Sequence, residues 1–339
     1  MMRHVVSGLA AAAFASAALA QPPDPFGRKL VPGERNDGIG WRLDDRLAFL
    51  GRKLFFDARL SGTGTTACAS CHDPGFAYAE PRPVSISDNG RHGRRNAPSL
   101  VDVGFLPTLM WDGRFRLLEQ QALSPFQRGE MGIGVEQAVQ RVNSDPQYVH
   151  LFRAALGRRP TADGMAHALA TFQRTIVSPP SRVDRFLMNN ETASLTPQEQ
   201  HGFYVFNQRA PCGNCHQLFP LQADGTVYRR PLLTDFRFHN LGIGYEFGGF
   251  ADTGRYAISR LNAEWGAFRT PSLRNSARTP PYMHDGSLAT LEDVVEFYNA
   301  GGRPNPNLSP LIRPLFLDGY EKAALVAFLR ALSDQDCEC

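Results

Sequence analysis

Cysteine is scarce in this chain, which has six in 339 residues. Six cysteines cannot supply the disulfide framework of a chain this long, so their positions carry the information. An excess of one charge is also missing, since 36 lysine and arginine residues stand against 33 aspartate and glutamate residues. A formal net charge of +3 gives no indication of a nucleic-acid partner. After the N-terminus no apolar run approaches the roughly 18 residues of a membrane span, so no span is expected.

The first part of the chain, Met1–Ala20, has the pattern of a secretory signal peptide. Arg3 precedes an apolar run over residues 5–17, which ends in the small-x-small motif Ala18-Leu19-Ala20. The run is too short to cross a membrane, and two prolines that follow it would end a helix there. The sequence therefore predicts Sec-type export, cleavage after Ala20 and a periplasmic location.

The rest of the chain contains an internal repeat. The motifs Pro98-Ser99-Leu100 and Trp111-Asp112-Gly113 recur at the same spacing as Pro271-Ser272-Leu273 and His284-Asp285-Gly286. Upstream of each pair, a Gly-x-x-x-Phe segment precedes a Cys-x-x-Cys-His motif, and the loop that follows this motif is longer in the second half. A duplication of this kind predicts two domains of one plan, over residues 21–178 and 197–339, with a connection over 179–196.

Apolar spacing predicts helices in both halves. Helical periodicity is clearest in two sets of residues: Met165, Ala168, Leu169, Phe172 and Ile176, and Leu325, Phe328, Leu329 and Leu332. Thr290 and Asp293 form a capping box that would open another helix. On that helix, one face would carry Leu291, Val294, Val295 and Tyr298. Strand-like alternation is sparse, so we expect an all-α fold.

Four of the six cysteines fall in two CxxCH motifs, Cys68–His72 and Cys212–His216. CxxCH is the attachment signature of c-type haem, in which both cysteines form thioethers and the histidine binds the iron. A CxxC redox pair or half a zinc site would not require a histidine directly after both motifs. The sequence therefore predicts two covalent haem c groups, haem 1 on Cys68, Cys71 and His72, and haem 2 on Cys212, Cys215 and His216.

The two remaining cysteines, Cys337 and Cys339, lie in the C-terminal tail. Their i,i+2 spacing would strain a mutual disulfide. An exposed thiol, an intermolecular bond, adventitious metal binding and a tail without function all stay open.

The ligand on the other side of each iron decides the chemistry. A methionine or histidine opposite the proximal histidine closes the iron for electron transfer, whereas an open position admits a peroxide. His92 lies in a glycine- and arginine-rich loop and could reach haem 1. A polar structural role is expected for the histidines outside any motif, which are His150, His167, His201, His239 and His284.

Taken in order, the motifs resemble those of the bacterial dihaem cytochrome c peroxidase and MauG superfamily. They are Leu-Phe-Phe-Asp at 54–57, the two CxxCH motifs, Arg-Asn-Ala-Pro-Ser-Leu at 95–100, Trp-Asp-Gly-Arg at 111–114, Thr-Pro-Ser-Leu-Arg-Asn at 270–275 and Pro-Tyr-Met-His-Asp-Gly at 281–286. The resemblance extends from about residue 43 to 333. It implies two cytochrome c-like helical domains, each with one haem, and a calcium ion between them.

The resemblance also implies roles for single residues at haem 1. Trp111 matches the tryptophan between the two haems, and Gln121 and Glu130 match the distal polar pair at the peroxide-binding haem. The match at Glu130 needs a one-residue deletion in its loop. The histidine that closes this haem in resting peroxidases falls at Asp88, so that ligand is absent here unless His92 replaces it.

For a metal other than iron, the resemblance points to Asn96, Thr279 and Pro281 as calcium ligands. These residues offer oxygen atoms, which suit calcium.

Tyr298 follows His284 at the position where ordinary dihaem peroxidases carry the axial methionine of haem 2. MauG-like enzymes carry tyrosine there, in a setting similar to Phe-Tyr-Asn-Ala-Gly-Gly at 297–302. From the residues alone, a core tyrosine on an apolar helix face would be favoured. The resemblance favours ligation of the haem 2 iron, with Met283 as the rival ligand.

The reaction that the resemblance implies begins with hydrogen peroxide at haem 1. Glu130 would move the proton, Gln121 would orient the peroxide, and Trp111 would pass an oxidising equivalent to haem 2. An anionic tyrosine ligand at Tyr298 stabilises oxidised iron, which favours oxidation of tryptophan in a periplasmic partner protein. The alternatives are a cytochrome c peroxidase supplied by a small cytochrome c or a cupredoxin, and a non-enzymatic dihaem electron carrier.

The route by which an oxidising equivalent would pass from haem 2 to a partner protein is left open. MauG has an aromatic residue just before its second CxxCH, whereas this chain has Gln-Arg-Ala-Pro at 208–211. The candidates elsewhere are Tyr204, Tyr228, Tyr245 and Trp265.

Overall fold

The computed structural model of the protein describes residues 43–222, 225 and 227–333. The expected signal peptide and the tail residues Cys337 and Cys339 lie outside these ranges. Within them, no helix has the length and apolar character needed to cross a membrane.

Ten α-helices make up most of the regular structure over the described ranges. They are α1 Asp45–Phe55, α2 Leu118–Arg128, α3 Val135–Ser144, α4 Pro146–Leu156, α5 Ala162–Thr175, α6 Arg182–Met188, α7 Pro197–Tyr204, α8 Tyr256–Ser259, α9 Leu291–Asn299 and α10 Gly319–Ala331. A π-helical turn, Val205–Arg209, continues α7. Both periodic segments fall in helices, α5 and α10, and the Thr290–Asp293 capping box is present at the start of α9. The protein is therefore mostly helical, as the apolar spacing predicts.

Four short strands depart from the all-α expectation. They are β1 Phe238–Asn240, β2 Tyr245–Glu246, β3 Gly249–Phe250 and β4 Ala267–Arg269. β1 pairs antiparallel with β4, with Phe238 opposite Arg269, and β2 pairs antiparallel with β3. All four lie in the longer loop of the second half. The strands are two or three residues long, too short for an alternating sequence pattern to reveal them.

One helix pair forms the centre of each half, α1 with α5 and α7 with α10. Gly51 of α1 lies against the backbone of Ala168, and Gly202 of α7 lies against that of Ala324. A Cβ atom at either glycine would overlap the facing carbonyl oxygen. The repeated glycine therefore allows two helix backbones to touch.

The phenylalanine of each Gly-x-x-x-Phe segment completes the same contact. The rings of Phe55 and Phe172 have centroids 5.1 Å apart, and those of Phe206 and Phe328 are 5.2 Å apart. Aromatic pairs at these separations add to the burial of apolar area.

We expect Gly202→Ala to lower the free energy of unfolding by about 1–3 kcal/mol, the usual cost of overpacking. The added methyl group must push α7 away from α10, because the obstacle is backbone rather than a movable side chain. Gly319→Ala, which meets nothing within 4 Å, is the matched control. Guanidinium denaturation checks both; equal midpoints for the two variants would contradict the close helix contact.

The backbone also repeats itself in the loops. Met110 and Met283 have φ of 68° and 72°, and Gly113 and Gly286 have φ of 67° and 65°. A left-handed conformation is uncommon for methionine, so its recurrence at equivalent positions supports a common loop structure in the two halves.

Buried side chains form one large cluster drawn from residues 50–176, another from 183–332, and a small third cluster that includes residues of both halves, namely Phe105, Tyr228 and Leu232. Across them, the Arg274 guanidinium donates to both carboxylate oxygens of Asp184 at 2.8 Å, and its Nε lies 3.2 Å from Asp102. This buried ion-pair network joins the first half to the second. The domain boundaries at 178 and 197 stay predictions.

Candidate functional site

Each CxxCH motif lines a cavity. The first cavity, of about 750 Å³, is lined by Cys68, Cys71 and His72 together with Gln121 and Glu130. We call it cavity 1. The motif residues and the proposed distal pair, which are far apart in sequence, therefore meet around one space.

The second cavity, of about 190 Å³, is lined by the second CxxCH motif, Cys212, Cys215 and His216, and we call it cavity 2. Its wall also includes Tyr298 and Met283. Three further residues of α9 line it, namely Leu291, Val294 and Val295. The helix face predicted from the sequence is therefore the wall of a cavity.

The two histidines of the motifs are held in the same way. His72 Nδ1 lies 3.1 Å from the Tyr78 carbonyl oxygen, and His216 Nδ1 lies 3.0 Å from that of Leu233. A histidine that donates from Nδ1 to a carbonyl keeps Nε2 as the lone-pair nitrogen, which is the arrangement of many metal-bound histidines. Burial lowers the pKa of both imidazoles and favours the neutral form that binds iron.

Three of the motif cysteines are unsuited to thiol–disulfide chemistry. Burial is the largest cause that raises the thiol pKa of Cys68 to about 12, of Cys71 to about 11 and of Cys212 to about 12. Redox-active CxxC motifs instead have lowered pKa values, because the thiolate is the reactive form. Burial of these three thiols therefore fits haem attachment better than a redox pair.

One cluster near haem 2 resembles a metal site, because ligand atoms of Cys215, Asp235 and His239 all lie within 4.8 Å of one another. A thioether at Cys215 would remove its thiolate from this set. Asp235 and His239 also bond each other at 2.8 Å. That hydrogen bond is the largest cause that raises the pKa of His239 to about 9.

Trp111 lines both cavities. Its indole Nε1 donates to the Asn96 carbonyl oxygen at 2.8 Å, which fixes the orientation of the ring. On one side it meets His284, with ring centroids 6.5 Å apart, and His284 stacks on Phe268 at 3.6 Å. The side chain thus stands between the two spaces that the motifs define.

From the sequence only a structural role is expected for His284, yet it lines cavity 2 and contacts Trp111. The internal repeat could have indicated a functional position for His284, because His284 is the counterpart of Trp111 in the second half. Desolvation lowers the pKa of His284 to about 4, so the ring is neutral at physiological pH.

The proposed calcium ligands lie on segments that touch. The amide nitrogen of the Asn96 side chain donates to the carbonyls of Glu80 and Arg82, at 3.0 and 2.8 Å. Its backbone N–H donates to the His284 carbonyl, 2.8 Å away, which brings it to the segment that follows Thr279 and Pro281. Because the amide nitrogen is already used, Oδ1 is the atom that Asn96 can offer a cation, and this fits calcium.

At haem 1 the resemblance places Asp88 where a closing histidine would stand and leaves His92 as the candidate for a further ligand. His92 lines cavity 1 and is exposed. Asp88 accepts hydrogen bonds from the Thr63 backbone N–H and hydroxyl at 2.8 and 2.5 Å. Asp88 is therefore engaged with a neighbouring loop, whereas His92 stays a possible ligand.

The four candidates for an electron exit lie in different surroundings. Tyr204 is half exposed and packs beside His201. Tyr228 is buried and donates to the Phe105 carbonyl at 3.0 Å. Tyr245 and Trp265 contact each other, with ring centroids 6.1 Å apart. The structure does not bring these residues into one path.

Comparison with known proteins agrees with this arrangement. Residues 45–192 match the family model of di-haem cytochrome c peroxidase. The chain is 35% identical over 305 residues to cytochrome-c peroxidase IdrP2 of Denitromonas iodatirespirans, covering 84% of this chain and 81% of the relative. It is also 35% identical over 286 residues to methylamine utilization protein MauG of Methylorubrum extorquens, covering 84% and 77%.

A solved structure shows the same fold. A MauG-like protein associated with microbial copper homeostasis superposes with a TM-score of 0.77 at 35% identity, covering 90% of this chain and 93% of that one. The family binds two haem c groups, and the two CxxCH cavities provide a place for each. The chain therefore belongs to the di-haem cytochrome c peroxidase and MauG family of hydrogen peroxide-dependent oxidoreductases.

Proposed function

We propose that this protein is a periplasmic, MauG-like enzyme that uses hydrogen peroxide to oxidise tryptophan residues of a partner protein. The observation that carries the proposal is the position of Tyr298, which lines cavity 2 on the same face of α9 as Leu291 and Val295. A phenolate opposite His216 would donate charge to the iron and stabilise its oxidised states, whereas a methionine raises the reduction potential.

Within the protein, the haems supply the redox chemistry and the chain's own groups position the reactants. Gln121 would orient peroxide in cavity 1, and Glu130 would take a proton from it and return one to the departing oxygen. Trp111 would carry an oxidising equivalent between the cavities. Asn96 supports this role, because its carbonyl holds the indole N–H while its side chain would bind calcium.

Met283 is the reason to keep the cytochrome c peroxidase alternative, because it also lines cavity 2. The repeat weakens that alternative. Met110 is the counterpart of Met283, has the same left-handed backbone and lines cavity 1. A methionine in both walls suits a shared loop structure better than a ligand specific to haem 2.

A test against cytochrome c peroxidase activity uses electron donors. Hydrogen peroxide is added to the purified dihaem protein with a reduced small cytochrome c or a reduced cupredoxin. We expect slow donor oxidation, because a tyrosinate ligand lowers the tendency of haem 2 to accept electrons. Rapid, peroxide-dependent turnover of either donor would contradict the proposal and support the alternative.

The electron-carrier hypothesis requires both irons to be six-coordinate, with His92 as a candidate ligand at haem 1. Cyanide binding to the diferric resting protein tests this. We expect rapid binding at haem 1, because cavity 1 is the larger and holds Gln121 and Glu130. Rapid binding would eliminate the carrier, whereas failure of cyanide to bind would contradict the open haem 1 on which the proposed function depends.

A further inference from the structure

Arg269 is a buried cation between the two cavities. It lies on β4, is 4% exposed and lines both cavity 1 and cavity 2. It precedes the Thr270–Asn275 motif and does not belong to it, so no motif marks it in the sequence.

The side chain of Arg269 donates to neutral backbone oxygens. Nη1 donates to the Thr270 carbonyl at 3.1 Å, and Nε donates to that of Met110 at 3.4 Å. Among the described residues no aspartate or glutamate forms an ion pair with it. Desolvation alone lowers its pKa to about 10, so the side chain is still charged at physiological pH.

The other arginines of the cavity walls that are not exposed to water are neutralised. Arg95 pairs with Asp112 at 2.7 Å and with Asp252 at 2.6 Å, and Arg114 lies 3.4 Å from Asp112. Burying an unpaired charge is costly, so buried cations generally have an anionic partner. Arg269 is the exception that calls for an anion from outside the chain.

We propose that Arg269 is the counter-ion of a haem propionate and that its charge raises the reduction potential of the haem it pairs with. A haem brings two carboxylates, and a guanidinium suits a carboxylate because its fork can donate two parallel hydrogen bonds. A nearby positive charge favours the added electron of the ferrous state, which sets the sign of the effect.

Arg269 would also act as a positioning residue for Trp111. Its backbone N–H donates to the Trp111 carbonyl at 2.8 Å, and its Nε donates to the residue before it. A propionate held on the guanidinium would thereby be tied to the segment that carries the indole. The proposal rests on haem in the two cavities and not on protein oxidation, so either can fail without the other.

The experiment measures the midpoint potentials of both haems by spectroelectrochemistry, and the haem content, in Arg269→Gln and Arg269→Lys. Arg94→Gln is the matched control, because Arg94 lines cavity 1 but is exposed to water. We expect Arg269→Gln to lower at least one potential more than the control does, and Arg269→Lys to keep most of the native value.

Incomplete haem loading of Arg269→Gln together with full loading of Arg269→Lys also supports the proposal, because lysine keeps the positive charge and glutamine does not. Native potentials in a fully loaded Arg269→Gln protein would overturn it. Equal failure of both variants to load haem would overturn it as well, in favour of a structural role for the backbone hydrogen bonds alone.

Discussion

Replacing Trp111 with phenylalanine is expected to slow the oxidation of haem 2 that follows peroxide addition at least about tenfold, equivalent to about 1.4 kcal/mol of activation free energy. Trp111 lines both cavities, so its indole is the aromatic group best placed to pass an equivalent between them. Phenylalanine keeps part of the ring volume, but it is much harder to oxidise and cannot donate to the Asn96 carbonyl.

Stopped-flow spectroscopy of the diferric protein mixed with hydrogen peroxide measures this effect. Trp265→Phe is the matched control, because Trp265 packs against Tyr245 and Phe250 in the strand region instead. The control is expected to oxidise haem 2 at the native rate. If Trp111→Phe did so too, transfer between the haems would not depend on the indole.

Tyr298→Met is expected to change the haem 2 spectrum and to raise its reduction potential, since methionine opposite histidine gives a higher potential than an anionic oxygen ligand. Burial raises the pKa of the Tyr298 phenol in the protein without metal. An ionised phenolate in this wall therefore needs the positive charge of the iron.

Visible spectra and a redox titration of haem 2 check the expected effect of Tyr298→Met. Met283→Leu serves as its control, since it alters the rival ligand in the same cavity with little change of volume. We expect Met283→Leu to leave the potential of haem 2 near its native value. The opposite pattern, a native spectrum in Tyr298→Met and an altered one in Met283→Leu, would assign the ligand to methionine.

Much of the fold follows from local patterns. The CxxCH motifs, the capping box at Thr290 and the apolar face of α9 are readable because each depends on neighbouring residues. The Gly-x-x-x-Phe repeat is also visible in sequence. Its reason, a backbone contact of Gly202 with Ala324, needs the packed helices.

Residues that act through distant contacts were not predictable in the same way. Arg269 carries no motif of its own, and its significance comes from lying between two cavities without an acidic partner in the described part of the chain. The importance of His284 depends on its contact with Trp111, which is more than 150 residues away in sequence. The short strands β1 and β4 likewise depend on pairing across a loop, which no local propensity reveals.

The proposed reaction stores both oxidising equivalents of one peroxide in the protein until a partner is oxidised. The most direct test is to add one equivalent of hydrogen peroxide to the diferric protein, without an electron donor, and to follow the near-infrared spectrum. We expect a long-lived near-infrared band, from charge shared between the two haems, that is lost in Tyr298→Met. Immediate return to the starting spectrum with no such band would contradict it.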